Sequence, residues 1–139
     1  MIMIHIDATD RIAGRLSSKV AKLLLRGEEV MIFNAEKSVI SGPPEYSFRF
    51  FRERVERGDP YHGPFYPKRA DRMLKRMVRG MIPYKKPKGR DAFKRLKVFN
   101  SVPEEFKDAK FADIEGTVNQ HKYKFVTLEQ VSRKVGGKI

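Results

Sequence analysis

The sequence predicts an α/β fold, and two observations carry that prediction. Ile2, Ile4 and Ile6 at the start, and then Val30-Met31-Ile32-Phe33, are short runs, apolar on both faces, the pattern of strands buried on both sides. Between them Ile12, Leu16, Val20, Leu23 and Leu24 recur with a helical period while Arg15, Lys19, Lys22 and Arg26 take the other face. Strand, helix and strand within about thirty residues is the spacing of a parallel βαβ unit.

The elements follow in order. Asp7 marks the carboxyl end of the first strand, Thr9 or Asp10 is placed to cap the helix, and Gly27 to stop it in the left-handed conformation. Asn34 to Lys37 leave the second strand, Val39-Ile40 is a short apolar piece, and Ser41-Gly42-Pro43-Pro44 opens a helix that runs to about Arg57. In that helix Tyr46, Phe50, Phe51 and Val55 are expected on the buried face, with Arg49, Arg52, Glu53 and Glu56 outside. Gly58-Asp59-Pro60 ends it, and Tyr61 to Pro67 is an aromatic loop too rich in Gly and Pro for a strand. From about Ala70, Met73, Leu74, Met77 and Val78 predict a helix ending at Gly80. Met81-Ile82-Pro83-Tyr84 is an apolar hook, Lys85 to Lys88 a charged loop, Gly89 to Leu96 a short helix, and Val98-Phe99 a further strand. Ser101 to Phe111 and Thr117 to Gln120 show no decisive pattern. Tyr123 to Val126 reads as an edge segment, and Thr127, with Gln130 three residues on, as the cap of a last helix that Gly136-Gly137 stops. With no repeat or linker, residues 1–139 read as one domain with a basic arm, about 68–97, embedded in it.

Charge is concentrated in that arm. Residues 68–97 hold thirteen of the thirty Lys and Arg against two acids, so they carry +11 of a net +13, while the segments before and after are each near neutral at +1. A charge run is ordinarily a solvated helix face laced with acids. Here the acids are missing, and the repulsion points to an external polyanion. A membrane-surface helix would sustain one apolar and one basic face, whereas Gly80, Pro83, Pro87 and Gly89 break this stretch, so nucleic acid is favoured. No apolar run approaches the roughly 20 residues of a membrane span, and the apolar start meets acids too soon for a signal peptide. With zero cysteines there is no disulfide or thiolate metal site, and a soluble intracellular protein is expected.

Catalytic motifs are absent. The chain has no G-x-x-x-x-G-K-[ST], and the turn after the first strand is Asp7-Ala8-Thr9-Asp10, carboxylates where a phosphate site needs glycines. Asp7 and Asp10 invite a metal or acid/base reading, but strand termination and helix capping account for both. His5, His62 and His121 have no metal-ligand spacing. His5 is expected as a core or rim imidazole. His62 sits beside Tyr61, Phe65 and Tyr66, where the rings either pack under the loop or stack on an exposed base. Arg72, Arg76, Arg79, Arg90 and Arg95 offer planar forks that bridge phosphate oxygens or stack on bases. Lys68, Arg69, Lys75, Lys85, Lys86, Lys88, Lys94 and Lys97 complete the cationic set, with Tyr84 among them.

The same residues carry a family pattern. Val78-Arg79-Gly80-Met81-Ile82-Pro83, Lys88-Gly89-Arg90-Asp91-Ala92-Phe93 and Leu96-Lys97-Val98-Phe99 resemble the central motif of the large-subunit ribosomal protein thirteen family. Asp7-Ala8, Gly14-Arg15-Leu16, Ala21, Leu24, Gly27, Val30, Asn34-Ala35-Glu36 and Ser41-Gly42 stand in that family's order. The tail from Val102 is similar to its archaeal branch. Ile82 departs from the commoner Leu, and Asn100-Ser101 replaces a glycine-containing step. The resemblance implies a three-layer α/β/α domain around a four-stranded, mainly parallel sheet, with no enzymatic activity, cofactor, metal, membrane or small-molecule substrate. Its implied partners are large-subunit ribosomal RNA and neighbouring ribosomal proteins, in the cytoplasm. It places Gly80 to Pro83 and Lys85 to Arg95 against RNA, with Gly14-Arg15 a second contact. Gly80 and Gly89 then allow close backbone approach to phosphate, while Met81 and Ile82 either plug an apolar gap between RNA helices or pack in the core. The contrasting class is a nucleotide- or RNA-processing enzyme using Asp7, Asp10 or His62.

Overall fold

The computed structural model describes residues 3–57, 61, 66–107, 110–112, 114–121 and 124–137. The chain runs β1 (Met3–Asp7), α1 (Ala13–Leu25), β2 (Glu29–Phe33), a 3-10 turn (Ala35–Lys37), β3 (Val39–Ser41) and α2 (Pro44–Glu56). It continues through α3 (Ala70–Arg79), α4 (Pro87–Lys94), β4 (Leu96–Val98), a 3-10 turn (Glu104–Phe106), β5 (Phe125–Thr127) and α5 (Leu128–Lys134).

The expected βαβ unit is present: β1 pairs with β2 in parallel, and β4 joins the far side of β2, also in parallel. In this register Ile4, Val30 and Leu96 lie level, as do Ile6, Ile32 and Val98, so all six side chains share one face. That face meets Leu16, Val20 and Leu24 of α1 and Met73, Leu74 and Val78 of α3 in a single core. Gly27 ends α1 at φ +96°, the left-handed stop read from its position. The capping box of α5 forms as read, with the Gln130 N–H donating to Thr127 Oγ1 and the Thr127 N–H to Gln130 Oε1.

The four-stranded sheet is not what forms. Three parallel strands in the order β1-β2-β4 make one sheet, and β3 and β5 make a separate antiparallel pair. The 3-10 turn after β2 redirects the chain, so β3 bridges from Val39 to Ile12 ahead of α1 and takes β5 as its strand partner. The opposite sheet face, which the resemblance covered with helices, carries His5, Met31 and Phe33 and is sealed by rings. Among the described residues Phe33 stacks on Phe99 at 5.4 Å and meets Phe106 and Phe111 at 5.3 and 5.7 Å, with His5 set edgewise against Phe33 and Phe106. A backbone N–H of Ala112 donates to His5 O, closing the edge of β1.

Two local expectations are corrected. Neither Thr9 nor Asp10 caps α1: Ile12 is its N-cap, with no side-chain bond, because the chain extends through Arg11 and Ile12 to meet Val118 and Val39 before it coils. Asp10 instead turns at φ +58°. In α2 the buried face is Ser47 and Phe51, whereas Tyr46 and Phe50 are exposed. The helix turns Phe48 and Phe51 inward, and Tyr46 stacks on Phe50 outside, with Arg54 4.1 Å from the Phe50 ring centre.

Phe33 holds the ring-sealed face to the sheet, so Phe33→Ala is expected to cost about 3–5 kcal/mol. The cost would be read as a lower urea midpoint with an unchanged slope. A loss below about 1 kcal/mol would mean that the rings close over the gap, or that the face is held by its backbone alone.

Candidate nucleic-acid interface

The arm is built on α3, whose buried side is Ala70, Met73, Leu74 and Val78 and whose remaining surface is Arg72, Lys75, Arg76 and Arg79. Asp71, in its first turn where a carboxylate favours the helix dipole, pairs with Arg69 Nε at 3.4 Å. At the start of the arm the Ser132 hydroxyl donates to Lys68 O at 2.6 Å, and Gly137 packs so tightly there that a Cβ would overlap Lys68's carbonyl.

Past Arg79 the chain makes a run of turns. The N–H groups of Met81, Ile82 and Lys86 donate to Val78 O, Arg79 O and Pro83 O, and α4 then starts with Pro87 in its first turn. Ile82 points into the core at 6% exposure while Met81 stands out at 45%, which separates two residues that sequence alone leaves equivalent. The two glycines separate as well. Gly80 has ordinary right-handed geometry and room for a side chain. Gly89 is buried against the hook, where a Cβ would overlap Pro83's carbonyl. Its close approach is therefore spent inside the protein, folding α4 back on the hook, and not on phosphate.

Around this hook the exposed cations are Lys85, Lys86, Lys88, Arg90 and Lys94, with Lys68, Arg69 and Arg72 nearer the start of the arm. Three further cations, half-buried on α3, lie against rings: Arg79 is 4.0 Å from the Tyr84 ring centre, Lys75 5.2 Å from Phe93, and Arg76 5.6 Å from Tyr66. The hydrogen bond and charge of Arg79 hold the Tyr84 phenol below the ordinary tyrosine range. Arg90 Nη2 donates to Lys85 O at 2.9 Å, pinning the loop between them. Tyr66, expected either to pack under its loop or to stack on a base, lies beneath Arg76 and so adjoins the arm.

Other candidates lie apart. Arg95 is half-buried and its Nη2 donates to Leu24 O at 2.7 Å, bolting the end of the arm to the end of α1. Lys97 is level with Met31 and so faces the ring-covered side of the sheet. Arg15 is exposed on α1. His62 lies outside the described residues.

The carboxylates of the enzymatic reading are engaged. Asp7 Oδ1 accepts from Thr9 N, Thr9 Oγ1 and Asn34 Nδ2. Burial pushes its pKa up, but the bonds from Asn34 and Thr9 and the charge of Lys37 outweigh burial and hold the group below its ordinary value, the wrong direction for a general acid. Asp10 sits 2.8 Å from His121 Nε2. Among the described residues no group of three His, Asp or Glu could hold a metal ion.

The model of the family described as Ribosomal protein L13 matches residues 2–105. Proteins named large ribosomal subunit protein uL13 are similar over nearly the whole chain. That of Methanococcoides burtonii is 48% identical over 139 residues, covering 99% of this chain and 100% of its own. That of Methanosarcina barkeri is 49% identical over 141 residues, with the same coverage. That of Archaeoglobus fulgidus is 46% identical over 134 residues, covering 94% of this chain and 86% of its own.

Gly89→Ala is expected to displace the hook and cost about 1–3 kcal/mol, as overpacking does, whereas Gly80→Ala should be neutral or gain up to about 1 kcal/mol. Thermal unfolding of the two variants checks this, and equal effects would refute the hook geometry. In an alkaline absorbance titration Tyr84, whose phenolate Arg79 favours, should ionise below the ordinary tyrosine range. Arg79→Gln should move that step up, and an unmoved step would dissociate the pair.

Proposed function

The chain belongs to the ribosomal protein L13 family, and from that premise we propose how it serves as a structural constituent of the large ribosomal subunit and not as an enzyme. The α/β body is a platform, and residues 68–97 bind and organise large-subunit ribosomal RNA. The observation that carries this is the +11 of the arm, displayed on α3, where Arg76 and Arg79 lean on rings, and around the hook, while acids are nearly absent. Phosphates supply the missing counter-charge, and each one bound releases counterions.

Roles follow from placement. Lys85, Lys86, Lys88, Arg90 and Lys94 meet phosphates around the hook, together with Lys68, Arg69 and Arg72. Arg76 and Arg79, lying over the rings of Tyr66 and Tyr84, offer their guanidinium groups to sugar edges or unstacked bases. Exposed Met81 touches RNA, while Ile82 and Gly89 shape the hook from within. Residues 1–139 act as one domain, with neighbouring large-subunit proteins as further partners on the cytoplasmic ribosome.

Binding of the protein to large-subunit RNA across a salt series tests this reading. Changing Arg72, Arg76, Arg79 and Lys85 to alanine should weaken binding and lower the slope of log K against log salt by about 0.7–0.9 for each phosphate no longer neutralised. An unchanged affinity and slope would remove the arm from the mechanism.

A further inference from the structure

Helix α1 is basic on its outside in a way that the fold does not explain. Its buried residues are Ala13, Leu16, Ser17, Val20, Ala21 and Leu24. Arg15, Lys19, Lys22 and, at the C-cap, Arg26 are all exposed, and their spacing of four, three and four residues sets them in one line. No acid interrupts Ala13–Leu25. The described structure gives Lys19, Lys22 and Arg26 no ion-pair or hydrogen-bond partner for their side chains.

Helix energetics account for half of this line. Lys22 and Arg26 sit at the carboxyl end, where the helix dipole favours a cation. Arg15 sits in the first turn, where the dipole disfavours one and no acid compensates it. Four like charges in a row also repel. A line kept at this cost implies an anion from outside.

The line also has a wall. Ile114 and Glu115 run beside it and close a groove of about 300 Å³ lined with Lys19, Lys22, Leu23 and Arg26, three cations against one carboxylate. The wall is fixed: Arg11 Nη1 donates to Ile114 O and Thr117 Oγ1 at 3.2 and 3.0 Å, and the Ile12 N–H donates to Thr117 O at 2.7 Å. The four cations extend over about 16 Å of helix, too long for one small anion and suited to successive phosphates of a strand.

We infer that the outer face of α1, centred on Lys19, Lys22 and Arg26, is a second RNA-backbone site, separate from the arm. α1 meets α3 and α4, yet its line of cations is exposed and the groove is walled by the 114–115 segment. The Arg95 bond to Leu24 O fixes arm and α1 relative to each other. The protein thus holds two RNA segments at a set separation, an inference that rests on the RNA-binding reading above.

The test is hydroxyl-radical footprinting and salt titration on large-subunit RNA with the full chain, comparing wild type, the arm variant and K19Q/K22Q/R26Q. The glutamine variant should lower the salt slope by about 2–3 and lose protection at nucleotides that the arm variant still protects. A charge-preserving K19R/K22R/R26K variant should keep them, which separates charge from packing. Unchanged slope and protection in the glutamine variant, or loss of the same nucleotides in both variants, would overturn the second site while leaving the arm's role intact. If wild type protects no RNA, the RNA-binding reading itself fails.

Discussion

Strand β4 is three residues long and has β2 as its neighbour in the sheet, yet its pairing decides where the arm ends and how it is held. The arm's last helix passes through Arg95 directly into Leu96, which lies level with Val30, so α4 cannot move without pulling a strand from the sheet. Leu96 is buried in the same core as Met73, Leu74 and Val78 of α3. One apolar cluster therefore seats both arm helices. It draws its strength from β2, whose Val30 and Ile32 face the helices while Phe33 anchors the rings on the other side. The repulsion among the arm's cations is borne by this cluster, because few acids are near enough to relieve it.

Rings do for the arm what salt bridges do elsewhere. A carboxylate beside Arg76 or Arg79 would orient the side chain but cancel its charge. Tyr66 and Tyr84 hold the guanidinium groups over their rings and leave the charge whole. The contrast with α5 is instructive. There Arg133 is tied to Glu129 at 2.6 Å, an ordinary neutralised helix pair.

The features legible in the sequence were those set by local pattern. Two apolar runs around a helical period gave the βαβ unit, and Thr127 with Gln130 gave a capping box because both partners lie within one turn. Charge was legible because it is counted without knowing the fold. What escaped depends on distant partners. β3 pairs with β5 across more than eighty residues of chain, and nothing in three residues announces that. Tyr46 and Phe50, or Ser47 and Phe51, both offer a face to bury, and only the packing of α2 chooses between them. Likewise Arg95, Lys97 and Gly89 read as surface contacts in sequence. They differ in space because one bonds Leu24, one sits on the far side of the sheet, and one lies beneath Pro83. Ser101 shows the limit from another side: it adopts φ +58° where a glycine-containing step is usual, and its N–H donates to Glu36 Oε2 at 2.9 Å, a bond that holds the residue in that conformation.

The clasp at the start of the arm, where Ser132 bonds Lys68 and Gly137 lies against it, matters beyond its size. With Arg95 fastening the other end, the 26 residues between are tied to the body on both sides and carry the helices α3 and α4. Disordered basic tails lose conformational entropy on docking and gain affinity only from what remains. A stretch tethered at both ends has already lost that freedom in folding, so its electrostatic attraction goes into the speed and orientation of encounter.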